Sequence, residues 1–191
     1  MVEPVRFLIR ISNEKGYLPS HVKALTKELR QSISGLDMRV GGLRISTRAI
    51  EFDLFTSNEL LDRIVPITSS YGSLLSMKRL EHEVGTESID DTVSTAKNYF
   101  NEERFWECHE LLEGIWKQST GDEHMLLQGV ILVAAAFVHV QRDEPEICIS
   151  MLKRALPMLT KKDQYYSLDI KRFTRSVKTV VNSKKPVLIR L

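Results

Sequence analysis

The chain has 191 residues, 42% of them hydrophobic and 27% charged, with 27 lysines and arginines against 25 aspartates and glutamates. That length allows one large domain or two modest ones with a real core, and the composition is that of an ordinary soluble globular protein. So even a charge balance gives no reason to expect a nucleic-acid partner.

The chain opens Met-Val-Glu-Pro-Val-Arg and runs straight into a strand pattern, so no signal peptide is expected. Val5, Phe7, Ile9 and Ile11 alternate with Arg6, Leu8 and Arg10, the period of a half-buried strand. Leu18-Pro19-Ser20 follows, where Ser20 can cap a helix carrying Val22, Leu25, Leu29 and Ile33, which Gly35 ends. Val40–Thr47 and Ile50–Phe55 read as two strands. A second helix is predicted from Ser57 or Asn58 through Val65, ended or bent by Pro66, before a last strand at Leu74–Leu80. The order β-α-β-β-α-β predicts a ferredoxin-like α+β domain over residues 1–82.

That fold hosts RNA binders, sensors and dimerisation modules alike. Its open sheet face would carry Arg6, Leu8 and Arg10 beside Glu51, Asp53 and Phe55. Opposite charges on neighbouring strands favour cross-strand ion pairs over the aromatic platform an RNA reader needs. An accessory or oligomerising role, such as a homodimer through this domain, is expected instead. Glu81–Gly85 reads as a linker, with His82 a solvated loop residue, and His21 is given no role.

Residues 88–185 predict an all-α bundle of about five helices. Ser88-Ile-Asp-Asp91 starts the first, with Val93, Ala96 and Phe100 on its apolar side. The next are predicted at Arg104–Gln118, at Glu123–Gln141 after a turn at Gly121-Asp122, after the cap Asp143-Glu-Pro-Glu146, and at Ser167–Val181. Cys108 and Cys148, inside helices and without C-x-x-C spacing, read as reduced thiols of a cytoplasmic protein. The longest stretch without a charge, Met125–Gln141, falls short of the ~20 residues that span a bilayer, so a buried core helix is predicted and no membrane partner. Residues 86–160 hold 6 basic and 13 acidic side chains, residues 161–191 hold 9 and 2. The simplest account lays the last helix against the acidic ones; a basic tail meeting an anionic ligand is the alternative.

At ~100° per residue, Gln128, Leu132, Ala135 and His139 share one stripe, and Phe105, His109, Glu113 and Trp116 another, with Trp106 at its edge. A short loop makes the two helices antiparallel, so these stripes can face each other. His124 is expected to be exposed.

Phe100-Asn101-x-x-Arg104-Phe105-Trp106-Glu107-x-His109-Glu110-x-Leu112-Glu113-x-x-Trp116, followed by Leu127-Gln128-Gly129 and an alanine-rich helix ending in His139, resembles a family of small helical proteins of bacteria, archaea and plants. That family is a domain of unknown function, labelled a predicted metal-dependent hydrolase on this motif. The resemblance covers about residues 90–155.

His109 and Glu113 have the i, i+4 spacing by which one helix offers two ligands to one ion, although a second histidine of the zinc-protease motif is here replaced by Glu113. With His139 facing across, they would form a two-histidine, one-carboxylate set suited to zinc, iron or manganese. Glu110 or Glu107 would then be the general base, and Gln128 would orient a ligand between pocket-wall aromatics Trp106, Trp116 and Phe105. Two other readings stay open. The same polar residues can satisfy one another as a buried network in a non-enzymatic module that binds a small molecule or a protein. The Tyr99-Phe100-Phe105 hairpin loosely resembles one tetratricopeptide unit, but its period does not recur. The chain can also be a sensor, dimerising through its first domain.

Overall fold

A computed structural model of the protein describes residues 5–57, 62–80, 88–160 and 162–191. The helix start expected at Asn58, the linker Glu81–Gly85 and His82 lie outside them. The chain divides into two compact units, one built on a sheet and one of helices.

The first unit runs β1 (Val5–Ser12), a 3-10 turn (Pro19–His21), α1 (Val22–Ser32), β2 (Met38–Ile45), β3 (Ala49–Thr56), α2 (Ile64–Thr68) and β4 (Leu74–Arg79). The strands pair antiparallel in the order β2-β3-β1-β4, the ferredoxin-like arrangement that the element order predicts. Phe7, Ile9 and Ile11 stand opposite Leu54, Phe52 and Ile50, and this face packs on Leu25, Leu29 and Ile33 of the α1 region and on Ile64 of α2. Two local expectations change. Ser20 sits inside the 3-10 turn, where His21 Nδ1 accepts the Leu18 N–H at 2.9 Å, so α1 starts without a serine cap. Pro66 does not stop α2; it occupies the first turn, where its missing N–H has no intrahelical partner to lose.

The other face of the sheet carries the charges, and they are paired. Arg6 meets Asp53 at 3.0 Å, Arg10 meets Glu51 at 2.8 Å, and Arg44 reaches Glu51 at 3.6 Å and Asp53 at 3.4 Å. Glu51 and Arg44 are each only 2% exposed. Phe55, the aromatic of this face, lies under the Arg39 guanidinium, 3.8 Å from its ring centre. A register shift between Gly41 and Arg44 brings Arg44 opposite Glu51. Gly42 makes the shift with φ +59°, and a Cβ there would lie 2.7 Å from Asp53 Oδ2.

The second unit is α3 (Ile89–Asn101), α4 (Phe105–Trp116), α5 (Gly121–Gln141), α6 (Pro145–Leu159) and α7 (Ile170–Ser183). Ser88 caps α3, accepting the Asp91 N–H at 3.2 Å. Phe100 of α3 lies edge-on to Phe105 of α4, Phe137 of α5 and Phe173 of α7, with ring centres 4.9, 5.9 and 5.5 Å away, so one aromatic ties four helices together. α5 is long and apolar enough to cross a membrane by length and composition alone. Here it is a core helix, with Leu126, Leu127, Val130, Val133, Ala134, Ala136 and Phe137 buried. Gly129 lets it approach α6, since a Cβ there would come 2.9 Å from Met158 Cβ. Cys108 and Cys148 are buried free thiols, and burial pushes both up to about 12.

α7 does not neutralise the acidic helices. Ile170, Phe173, Thr174, Val177 and Val180 turn to the core, while Lys171, Arg172, Arg175 and Lys178 are exposed. After α7 the chain returns to the end of α3, where Leu191 N–H donates to Asn101 Oδ1 at 3.0 Å and Leu191 is buried.

Candidate functional site

α4 and α5 run antiparallel: Phe105 packs on Phe137 at one end, with ring centres 5.2 Å apart, and Trp116 stacks on His124 at the other, 4.5 Å apart. The core-facing side of α4 is Phe105, Cys108, Leu112 and Ile115. The stripe Phe105-His109-Glu113-Trp116 expected to face α5 is therefore rotated: Phe105 is buried, but His109, Glu113 and Trp116 lie half-buried on the flank. The four apolar residues at i, i+3, i+7 and i+10 outweigh two polar ones in setting the helix phase. On α5, Gln128, Leu132, Ala135 and His139 form the least buried side of an otherwise apolar helix.

The flank of α4 gathers one group of chemically capable side chains. His109, Glu110 and Glu113 each offer a ligand atom, and these atoms lie within 4.8 Å of one another. Their side chains are 23%, 42% and 33% exposed. His109 Nδ1 stands 3.4 Å from Glu110 Oε1, yet it is shielded from solvent and has no hydrogen-bond partner among the described residues. Trp106 stacks on the His109 ring, centre to centre 5.5 Å at 14°, and fixes its plane. Glu113 reaches the exposed Lys117 at 3.4 Å.

His139 is not in this group. Its Nδ1 is held at 2.5 Å by Glu144, five residues on, across a corner that Asp143 turns with φ +63°. The third member of the group is Glu110, a residue the sequence offers as general base. The other base candidate is occupied as well. Glu107 takes both ends of the Arg104 fork, at 2.7 Å to Nε and 2.6 Å to Nη2, and Arg104 also covers Tyr99 at 3.9 Å. Hydrogen bonding to Glu107 holds the Arg104 guanidinium above its ordinary pKa against the opposing effect of burial. That pair, three residues apart on one helix, was readable from the sequence and was missed.

Gln128 is half-buried, and its side chain makes no hydrogen bond among the described residues. None joins His109, Glu113, Gln128 and His139 to one another either, so a mutual hydrogen-bonded network is not what aligns α4 with α5. Trp116 has a buried indole N–H with no partner among the described residues. His124, expected in solvent, stacks on the Trp116 ring, with its Nδ1 3.1 Å from the Trp116 carbonyl oxygen.

Residues 93–151 match the family described as a domain of unknown function, DUF309. This segment runs from α3 into α6 and includes His109, Glu110, Glu113, Gln128 and His139. No curated protein and no solved structure matches the chain.

Proposed function

We propose that the helical unit binds one divalent metal ion on His109, Glu110 and Glu113, and that this site serves a metal-dependent hydrolase. The observation that carries the reading is the convergence of these three side chains beside a solvent-shielded His109 nitrogen without a hydrogen bond among the described residues. Ligands ~2.1 Å from an ion lie at most about 4.2 Å apart, a distance that small rotations of the two partly exposed carboxylates reach. One imidazole with two carboxylates suits manganese, iron or zinc.

An ion held there would supply Lewis acidity for cleavage of an ester, amide or phosphoester bond. The chain's own residues set the rest. Trp106 keeps the His109 ring from rotating, and Lys117 tempers the charge on Glu113. Glu107 accepts both bonds of the Arg104 fork and holds the start of α4. Gln128 offers both a donor and an acceptor to a bound molecule.

The test is elemental analysis of the full chain purified without chelators, next to His109→Ala and Glu113→Gln. Near-stoichiometric metal in the wild type, lost from both folded variants, is the expected result. A chain that neither carries nor takes up manganese, iron or zinc in titration calorimetry overturns the reading, leaving a non-enzymatic ligand-binding or interaction module.

A further inference from the structure

We infer that the outward face of α7, with the segment that follows it, is a docking surface for an anionic phospholipid bilayer. The surface is separate from the α4 site and independent of any reaction there. At ~100° per residue, Lys171, Arg172, Arg175 and Lys178 cluster opposite the side that Phe173, Val177 and Val180 bury. Lys184 and Lys185 continue the run, and residues 170–191 contain no aspartate or glutamate.

Acids nearby usually dilute such a charge run; here they stand at its start only, Asp163 beside Lys171 and Asp169 as the helix cap. Lys171 has one partner, Asp163 at 3.8 Å, with both side chains exposed. Arg172, Arg175, Lys178, Lys184 and Lys185 make no side-chain ion pair or hydrogen bond among the described residues. Six cations on one exposed helix face and its continuation are the number and arrangement that anionic headgroups attract. Self-repulsion among them is relieved when lipid phosphates supply the counter-charge.

A nucleic acid would meet the same charge, and the neighbouring side chains decide between the two. The exposed face of α7 offers no aromatic ring on which a base could stack. Val187 and Leu188, in contrast, are 54% and 52% exposed, between Lys185 and Arg190. Phosphate contacts do not reward exposed aliphatic side chains. A bilayer does, because they enter the headgroup region while the flanking cations stay at its surface.

The experiment is co-sedimentation of the full chain with vesicles of pure phosphatidylcholine and of phosphatidylcholine with 30% phosphatidylglycerol, at low and high salt. Binding to the anionic vesicles alone, lost at high salt, is expected. Each cation near the surface contributes about fivefold, so Arg172→Ala/Arg175→Ala/Lys178→Ala should weaken it about 100-fold. Val187→Asp/Leu188→Asp should cost about tenfold or more. All five side chains are exposed, and thermal melts confirm that the variants fold. Failure to bind anionic vesicles at low salt overturns the inference, as does equal binding to neutral ones or an unaffected triple variant. Tight binding of an oligonucleotide without vesicle binding would assign the face to nucleic acid instead.

Discussion

Carboxylates occupy both units, and the two units treat them differently. On the sheet, Glu51 and Asp53 stand at register positions facing Arg6, Arg10 and Arg44, and each acid is met by two arginines. On α4, Glu110 and Glu113 follow His109 by one and four residues along the helix, and Glu113 meets the exposed Lys117 at 3.4 Å. In a sheet, β-pairing fixes which charges meet, so acids and bases can be matched in pairs and used up as structure. On one face of one helix two acids collect beside a histidine, and Glu113 meets an exposed lysine rather than a buried arginine. A closed charge set holds a fold together; the half-exposed cluster on α4 is the one proposed to bind a cation.

The sheet side of this comparison carries the largest expected effect. Arg44→Ala leaves Glu51 and Asp53 buried with one cation fewer each, and should destabilise by about 3–5 kcal/mol in denaturant unfolding. A loss below about 1 kcal/mol would mean that water reaches the acids and that the set is not closed. Second comes Gly129→Ala, which forces α5 away from α6. An added Cβ 2.9 Å from Met158 Cβ should cost about 1–3 kcal/mol, showing that close apolar packing, rather than charge, holds the helical unit.

Much of the contrast was legible in the sequence. Alternation placed β1, β3 and their charged face, because a strand's period of two leaves no choice of side once one face is apolar. On helices the phase was harder. Spacing correctly put His109 and Glu113 on one stripe, but which way the stripe points depends on the whole set Phe105, Cys108, Leu112 and Ile115, and that set turns it to the flank. His139 was drawn across to α4 because stripe arithmetic contains no tertiary partner. Its actual partner, Glu144, becomes reachable only when Asp143 adopts a positive φ, a corner that no periodicity reports. For α7, the summed charge suggested internal neutralisation, whereas its apolar spacing already required the cations to face outward.

The Arg104–Glu107 pair tests whether α4 also has a closed charge set at its start. Both carboxylate oxygens are taken by one guanidinium, and Arg104 is about a fifth exposed, so solvent screens the pair in part. Arg104→Met should cost about 1–2 kcal/mol. If metal is bound, its affinity should stay unchanged, because Glu107 is occupied elsewhere. A sharp fall in metal affinity, with little loss of stability, would return Glu107 to the site.

The smallest expected effect is the most discriminating. His109 is about a quarter exposed and makes no hydrogen bond through Nδ1 among the described residues. Its contacts among the described residues are the stacking with Trp106 and the half-exposed approach of Glu110 at 3.4 Å, so His109→Ala should shift unfolding by no more than about 0.5–1 kcal/mol. The same substitution removes the one nitrogen of the candidate ligand set and should abolish metal retention. A stability loss comparable to that of Arg44→Ala would instead class His109 with the closed charges of the sheet, and the comparison between the two units would fail. A near-silent melt joined to lost metal is the signature of a residue kept for what it binds.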